Sequence, residues 1–338
     1  MKAIKITKPG KTELIEVPKP EPGRGEVLLK VDHVGFCGSD LSTYLGKNPM
    51  VSYPRIPGHE VAATVVGKGS SVSDKIKSGD KVTVVPYTNC GTCSSCRKGR
   101  FNACEHNQTL GVQRDGAMSE YITVPYEKII KVPDLSSTEA ALVEPLTVGF
   151  HAIHRVGVTA SDVVMVLGCG MIGAGAISGA ALRGAKVVAV DIDDEKLATA
   201  GKIGANIVIN SAVADLHEEL QKKLNGISLD VVVESAGNPV TYRAGIEEVA
   251  FAGKMVCIGY AKDEVRFPTK LWVQKELDIL GSRNASPKDF EDVINLLGSG
   301  KFPSEEVITR IVTPEEAPQA FREWADAPGK VFKIMVKF

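Results

Sequence analysis

Four cysteines, Cys90, Cys93, Cys96 and Cys104, fall within fifteen residues, separated by two, two and seven positions. A zinc tetrahedron needs four donors, about 2.3 Å away for sulfur, and two-residue spacers let the backbone wrap the ion and aim its amides at the sulfurs. An iron–sulfur cluster is the rival, although its usual cysteine spacings differ. Four protein ligands leave no open position, so these cysteines predict a structural zinc fixing a lobe, about 88–106, that has little core of its own.

A second donor set is dispersed. Cys37 lies in Gly-Phe-Cys-Gly-Ser-Asp at 35–40, and His59 and Glu60 follow Gly58. A lone Cys or His is usually a packed core residue. Together, Cys37, His59 and either Glu60 or Glu144 supply three ligands of mixed sulfur, nitrogen and oxygen type, which is what a catalytic zinc with an open position requires. The third constellation is Gly-Cys-Gly-Met-Ile-Gly at 168–173. Gly168, Gly170 and Gly173 follow an apolar run, Met171 and Ile172 open a small-residue helix, and Asp191 ends the next apolar run 18 residues after Gly173. In that context the glycines permit a tight turn and close approach to a pyrophosphate whose charge the helix N-terminus stabilises. Asp191 would accept both adenosine ribose hydroxyls and repel a 2′-phosphate, and no arginine directly follows it, so NAD is expected over NADP. Cys169, inside the fingerprint, reads as a small packing residue.

The elements that must position these residues are of two styles. Through about residue 143, short apolar runs such as 26–31, 61–66, 81–85 and 121–124 alternate with Gly, Pro and Asp and read as strands of a mostly β module. Near Ala140 apolar residues recur at helical spacing at Leu142, Leu146, Phe150 and Ile153, predicting a helix that leads out of this module. Strand runs at 163–167, 187–190, 207–209, 230–233, 255–258 and 277–280 then alternate with helical stretches, the last of them over 240–251. This is the pattern of a parallel sheet covered on both faces. The tail holds a helix after Pro287 and an alternating run, 331–336, able to pair back into the β module, which makes the nucleotide domain an insertion. The expected fold class is α/β. The β catalytic domain spans 1–147 and 283–338, interrupted by a doubly wound domain at 148–282.

Composition narrows the function classes. The 338 residues carry 40 Lys plus Arg against 41 Asp plus Glu, a net charge of −1, with 43% hydrophobic residues. No run of like charge points to nucleic acid or an anionic membrane as partner. No stretch reaches bilayer length, residues 1–10 lack a signal-peptide core, and an odd count of seven cysteines fits a reducing compartment, so a cytoplasmic location is expected.

The Cys-Gly-Ser-Asp and Gly-His-Glu motifs, the four-cysteine lobe, Glu-Pro-Leu at 144–146 and the 168–173 fingerprint together resemble the zinc-dependent medium-chain dehydrogenase/reductase family over the whole chain. The resemblance implies a GroES-like catalytic domain interrupted by a Rossmann domain, with the active site in the cleft between them. It implies two zinc ions per chain, one catalytic and one structural, and NAD. Cys37 and His59 become catalytic zinc ligands, and Glu60 and Glu144 alternates, one binding the metal while the other approaches through water or exchanges with it. Ser39 becomes the first proton relay, and Ser42 stands where long-studied alcohol dehydrogenases carry a relay histidine, leaving the outer relay open. Tyr44 lies at a polyol-pocket position, or is a loop aromatic packed on the zinc loop. A carboxylate at 144, where many simple alcohol dehydrogenases have a third cysteine, points to the sorbitol-dehydrogenase-like branch. Segments 281–290, 52–59 and 111–116 resemble sugar-acid and polyol dehydrogenases of the L-galactonate type.

In such an enzyme zinc acidifies a secondary hydroxyl, much as it brings bound water from about 15.7 to about 7, and the resulting alkoxide passes hydride to nicotinamide. The fork of Arg283 suits a substrate carboxylate or hydroxyls, its alternative being an interdomain ion pair. His151 and His154 read as structural, and Trp272 and Trp324 as core or subunit-contact residues. The family implies a homo-dimer or homo-tetramer, commonly through Rossmann edge strands. L-threonine dehydrogenase and simple alcohol dehydrogenase are alternatives in the same class, and a non-catalytic nucleotide-binding member is the alternative in another.

Overall fold

The run Glu-Val-Leu-Leu-Lys-Val-Asp-His-Val-Gly forms one long strand, Glu26–Gly35, with Val27, Leu29, Val31 and Val34 buried. It pairs antiparallel with Glu60–Lys68, Tyr121–Pro125 and Ile334–Lys337, and so draws together residues from both ends of the sequence. The computed structural model describes residues 1–338 and comprises two units, Met1–Glu144 with Ile294–Phe338, and Pro145–Val293.

In the first unit the sheet runs in the order Arg310–Val312, Ile334–Lys337, Glu26–Gly35, Glu60–Lys68, Lys81–Val84 and Ile129–Lys131, and a hairpin, Lys2–Lys8 with Lys11–Glu16, stands beside it. Its core includes Ile4, Leu29, Val61, Met118 and Val336, and an aromatic stack in which Phe36 lies 4.4 Å from Phe321 and 6.0 Å from Trp324. Trp324 is thus a core residue.

The second unit has six parallel strands in the order Ile207–Asn210, Lys186–Asp191, Val163–Leu167, Leu229–Glu234, Val249–Cys257 and Asp278–Gly281. The first strand in sequence is central, with the second and third on one side and the rest on the other. This is the doubly wound order, whose reversal point beside the first strand is where dinucleotides bind. Every residue of Val163–Leu167 is buried, as a parallel strand covered on both faces must be.

The short helix Lys270–Lys275 was not expected, and three further details differ. The helix predicted over 240–251 spans Pro239–Glu248, and Val249 instead starts a strand, pairing with Leu229 and burying its side chain; a short apolar run carries no period to separate the two outcomes. The tail strand begins at Ile334, because the N–H groups of Phe332 and Lys333 are taken by the Thr309 hydroxyl at 2.8 and 3.2 Å. The units divide at 144/145 and 293/294, inside the helices Ser137–Val156 and Pro287–Gly298, whereas the change of residue pattern and the resemblance placed the boundaries at 147/148 and 282/283. No helix is long and apolar enough to cross a membrane.

Within the second unit, Asp289 joins those two helices. Its buried carboxylate accepts from His151 Nδ1 at 2.8 Å, His154 Nδ1 at 3.3 Å, and the N–H and hydroxyl of Ser286 at 2.7 and 2.6 Å. Both histidines are engaged here. Burial alone would raise the Asp289 carboxyl, but the His151 and Ser286 hydrogen bonds outweigh it and hold it below the usual range. A carboxylate stabilised this way contributes above its ordinary value of about 4, and the contribution disappears as pH falls through the lower folded value. Asp289→Asn is expected to cost about 1–3 kcal/mol near neutral pH. In thermal denaturation across a pH series, its deficit relative to the wild type should shrink below about pH 4.

Candidate active site

Two short loops carry the dispersed donor set. Cys37 caps the helix Gly38–Tyr44 directly after the strand Glu26–Gly35, and His59 precedes Glu60, the first residue of the neighbouring strand. Asp40 ties the loops together. Its buried carboxylate accepts the Cys37 N–H at 2.9 Å and the Gly58 N–H at 3.3 Å. As a result the ligand atoms of Cys37, His59 and Glu60 lie within 4.8 Å of one another, the histidine and glutamate fully enclosed. Buried His59 Nδ1 and Ser39 Oγ have no hydrogen-bond partner. Burial alone would lower the His59 pKa, but Cys37, then Glu144 and Asp40, draw it well above the usual range. A sulfur, a nitrogen and an oxygen donor converging in a field that favours positive charge fit zinc.

The two acidic candidates have different surroundings. Glu60 stands in the three-residue set, and both of its oxygens lie 2.6 Å from Lys333 Nζ, which also donates to Phe36 O at 2.9 Å. Lys333 is 3% exposed. Burial, with Glu144 adding to it, raises the Glu60 carboxyl, and the Lys333 ammonium offsets only part of that rise, leaving it at about 7. Room for this carboxylate comes from the paired position on the next strand, Gly35, where a Cβ would sit 1.9 Å from Glu60 Oε2. Glu144, also buried, lies outside the set and accepts a hydrogen bond from the Tyr87 hydroxyl. Burial, then Glu144, push the Tyr87 phenol well above its usual range, so it remains a donor.

Lys333, Asp40 and Tyr87 contact this donor set or its neighbouring carboxylate, and motif reading did not single them out. Asp40 stood in plain view within the Cys-Gly-Ser-Asp motif. For the other two the sole signal was a lysine placed among apolar residues of the last strand run and a tyrosine just before the cysteine lobe.

Tyr44, read either as a pocket residue or as a loop aromatic packed on the zinc loop, is buried, with its ring stacked 5.7 Å from Phe321 inside the hydrophobic core. Packing accounts for it. Arg283 follows the strand Asp278–Gly281 in the second unit and is half-buried.

In the lobe, Sγ separations are 3.7 Å for Cys90–Cys104, 3.8 Å for Cys93–Cys104 and 4.0 Å for Cys90–Cys96. A tetrahedron of about 2.3 Å zinc–sulfur bonds has edges of about 3.8 Å. These separations are too long for disulfides and leave no space for a cluster of several iron and sulfide atoms. N–H groups of Thr92 and Cys93 point at Cys90 Sγ at 3.4 and 3.3 Å, and the Cys90 N–H points at Cys104 Sγ at 3.4 Å. Such donors support thiolates around a metal.

The glycine turn sits where the central strand of the second unit meets its helix. Gly168 has φ +93°, and a Cβ on Gly173 would sit 1.9 Å from Gly168 O, so only glycine lets the helix Met171–Leu182 start this close to the turn. Gly170 caps that helix. From the next strand Asp191 accepts the Cys169 N–H at 2.6 Å and the Ile192 N–H at 2.7 Å, which fixes its carboxylate at the turn. Cys169 is buried with its thiol pushed upward, consistent with packing.

Two outcomes test this geometry. Cys93→Ser should lose one zinc per chain by elemental analysis and melt at lower temperature. Lys333→Met should cost about 3–5 kcal/mol in denaturant titration, because Glu60 is left buried and unpaired; adding Glu60→Gln should recover part of that loss.

The Alcohol dehydrogenase GroES-like domain model matches residues 23–134, and the Zinc-binding dehydrogenase model matches residues 172–299. L-galactonate-5-dehydrogenase of Escherichia coli K12 is 34% identical, over 86% of this chain and 85% of that protein. Sorbitol dehydrogenase of Bacillus subtilis 168 is 33% identical, over 99% and 97%. The crystal structure of RspB from E. coli CFT073, described as a short chain alcohol dehydrogenase complexed with NADH, superposes with a TM-score of 0.92 at 31% identity, covering 100% of this chain and 99% of that one. The chain therefore belongs to the zinc-dependent medium-chain dehydrogenase/reductase family, in its polyol and sugar-acid branch, and is an oxidoreductase acting on CH–OH donors.

Proposed function

We propose that the protein oxidises a secondary hydroxyl of a sugar acid or polyol to a ketone, with NAD as acceptor. The observation carrying this reading is the buried convergence of Cys37, His59 and Glu60 within 4.8 Å. Those three residues would hold the catalytic zinc, and the four lobe cysteines the structural one. The bound zinc supplies Lewis acidity to the substrate hydroxyl, and the nicotinamide supplies a hydride acceptor. Ser39, whose buried Oγ has no other partner, takes the hydroxyl proton. Asp40 holds the Cys37 and His59 loops in register, and Lys333 keeps Glu60 from leaving for solvent. Asp191, with its carboxylate already oriented by backbone amides, accepts the adenosine ribose hydroxyls and disfavours a 2′-phosphate.

A carboxylate at 144, in place of a third cysteine, and the similarity to L-galactonate and sorbitol dehydrogenases support the substrate class. Arg283 is the residue for a substrate carboxylate, since its planar fork suits bidentate contact. The mostly exposed edge strand Asp278–Gly281 supports a homo-dimer or homo-tetramer, and seven cysteines with four in one metal-ligand cluster support the reducing cytoplasm as its compartment.

The test is NADH formation by the purified protein with aldonates, uronates, polyols, threonine and simple alcohols, before and after chelation. Chelator-sensitive turnover of one sugar acid or polyol is expected, with Arg283→Ala raising KM for an acid substrate. Turnover of threonine or simple alcohols alone, or none at all with zinc and NAD bound, would overturn the reading.

A further inference from the structure

We infer that Tyr87 is a positioning residue for Glu144: its phenol holds this second buried carboxylate as a hydrogen-bond acceptor beside the metal centre and thereby reserves the metal for Glu60. The inference rests on the reading above that Cys37, His59 and Glu60 hold zinc.

Two buried carboxylates, Glu60 at 1% and Glu144 at 3% exposure, lie near enough for the charge of one to act on the other. Glu144 acts electrostatically on both His59 and Glu60, and a carboxylate that can swing is a ready ligand for a divalent cation. Each therefore needs a restraint of its own. Lys333 engages both oxygens of Glu60. An ammonium is a mobile point charge on a long stem, and a carboxylate paired with it retains lone pairs for a metal. Glu144 receives a phenol. That donor has one proton, a fixed direction and a rigid ring, so it pins one carboxylate oxygen in place.

Both partners are set on rigid supports. On either side of the buried Tyr87, Val85 N–H donates to Lys128 O at 2.7 Å and Thr88 N–H to Asn107 Oδ1 at 3.0 Å, and the Thr88 hydroxyl accepts the Gln108 N–H at 2.7 Å. Glu144 projects from the 20-residue helix Ser137–Val156. The orientation of the phenol is thus decided by backbone bonds on both sides, and the position of the acid by a long helix. A geometry specified from both ends is what distinguishes a positioning contact from an incidental one.

The test uses Co(II)-substituted protein, whose visible absorption reports coordination number and donor set, alongside the zinc enzyme. In Tyr87→Phe the metal content per chain should hold while the cobalt bands shift and weaken, as Glu144 enters the coordination shell. With the zinc enzyme kcat should fall about ten- to a hundred-fold, with KM for NAD unchanged. The double variant Tyr87→Phe/Glu144→Gln should return the cobalt spectrum to the wild-type form, because an amide does not compete for the ion. Glu144→Gln alone should leave the bands in place, which keeps the test decisive even where Tyr87→Phe folds poorly. Unshifted bands in Tyr87→Phe, a shift that persists in the double variant, or a shift in Glu144→Gln alone would each overturn the inference. A protein that turns over no sugar acid or polyol, yet shows the expected cobalt spectra, would sink the substrate reading and leave this one standing.

Discussion

A buried ammonium against a buried carboxylate governs the architecture of the first unit. Removing Lys333 and Glu60 from water costs several kcal/mol for each ion, recovered only if the geometry is close and the remaining donors are used. Here they are: Lys333 spans both carboxylate oxygens and the carbonyl of Phe36. Because Glu60 begins one strand and Phe36 follows another, the ammonium must arrive from a third. Lys333 immediately precedes that third strand, Ile334–Lys337, which is laid antiparallel on Glu26–Gly35. The return of the chain after the nucleotide-binding unit thus has a chemical content, since it delivers the countercharge for the acid beside His59.

Around that pair the site is built in layers of charge. Asp40 and Glu144 add negative field at His59 without joining its immediate donor set, and each is restrained by donors from outside, Asp40 by two backbone amides and Glu144 by a phenol. A dehydrogenase of this kind needs a metal held tightly enough to remain bound and loosely enough to exchange one ligand for substrate. The proposed centre, with Glu60 paired to Lys333 and Glu144 held by Tyr87, is suited to that requirement.

The parts of this arrangement that were legible from sequence are those whose geometry is local. Four cysteines within fifteen residues specify their tetrahedron almost by spacing, and the glycine fingerprint is a turn, a helix start and the end of the next strand. Cys37 and His59 were readable because their motifs are short and distinctive. The alternation of strands and helices over the second unit was legible for the same reason, failing at Val249–Phe251, where an apolar run at a helix end has no period to betray it, and at the six-residue helix Lys270–Lys275, too short to show one. Lys333 and Tyr87 were not legible. They meet their acids across 273 and 57 positions of chain, and a lone lysine or tyrosine carries no spacing signal. Tyr44 shows the converse case: a residue can stand at a suggestive position and still be claimed by the core, here by Phe321.

Gly35 gives one more consequence. It is not a ligand, lies on a different strand from Glu60, and has no side chain at all, yet its missing methyl group is the space that the Glu60 carboxylate occupies. Where the Glu60 carboxylate can sit is therefore set by the bulk allowed at a neighbouring backbone position. Across related enzymes, a change from glycine there would retune how the metal shares its ligands while every donor in the motif stayed the same. Comparing motifs alone would declare two such enzymes identical at the metal, and the difference would lie in an empty volume that no alignment of donor residues displays.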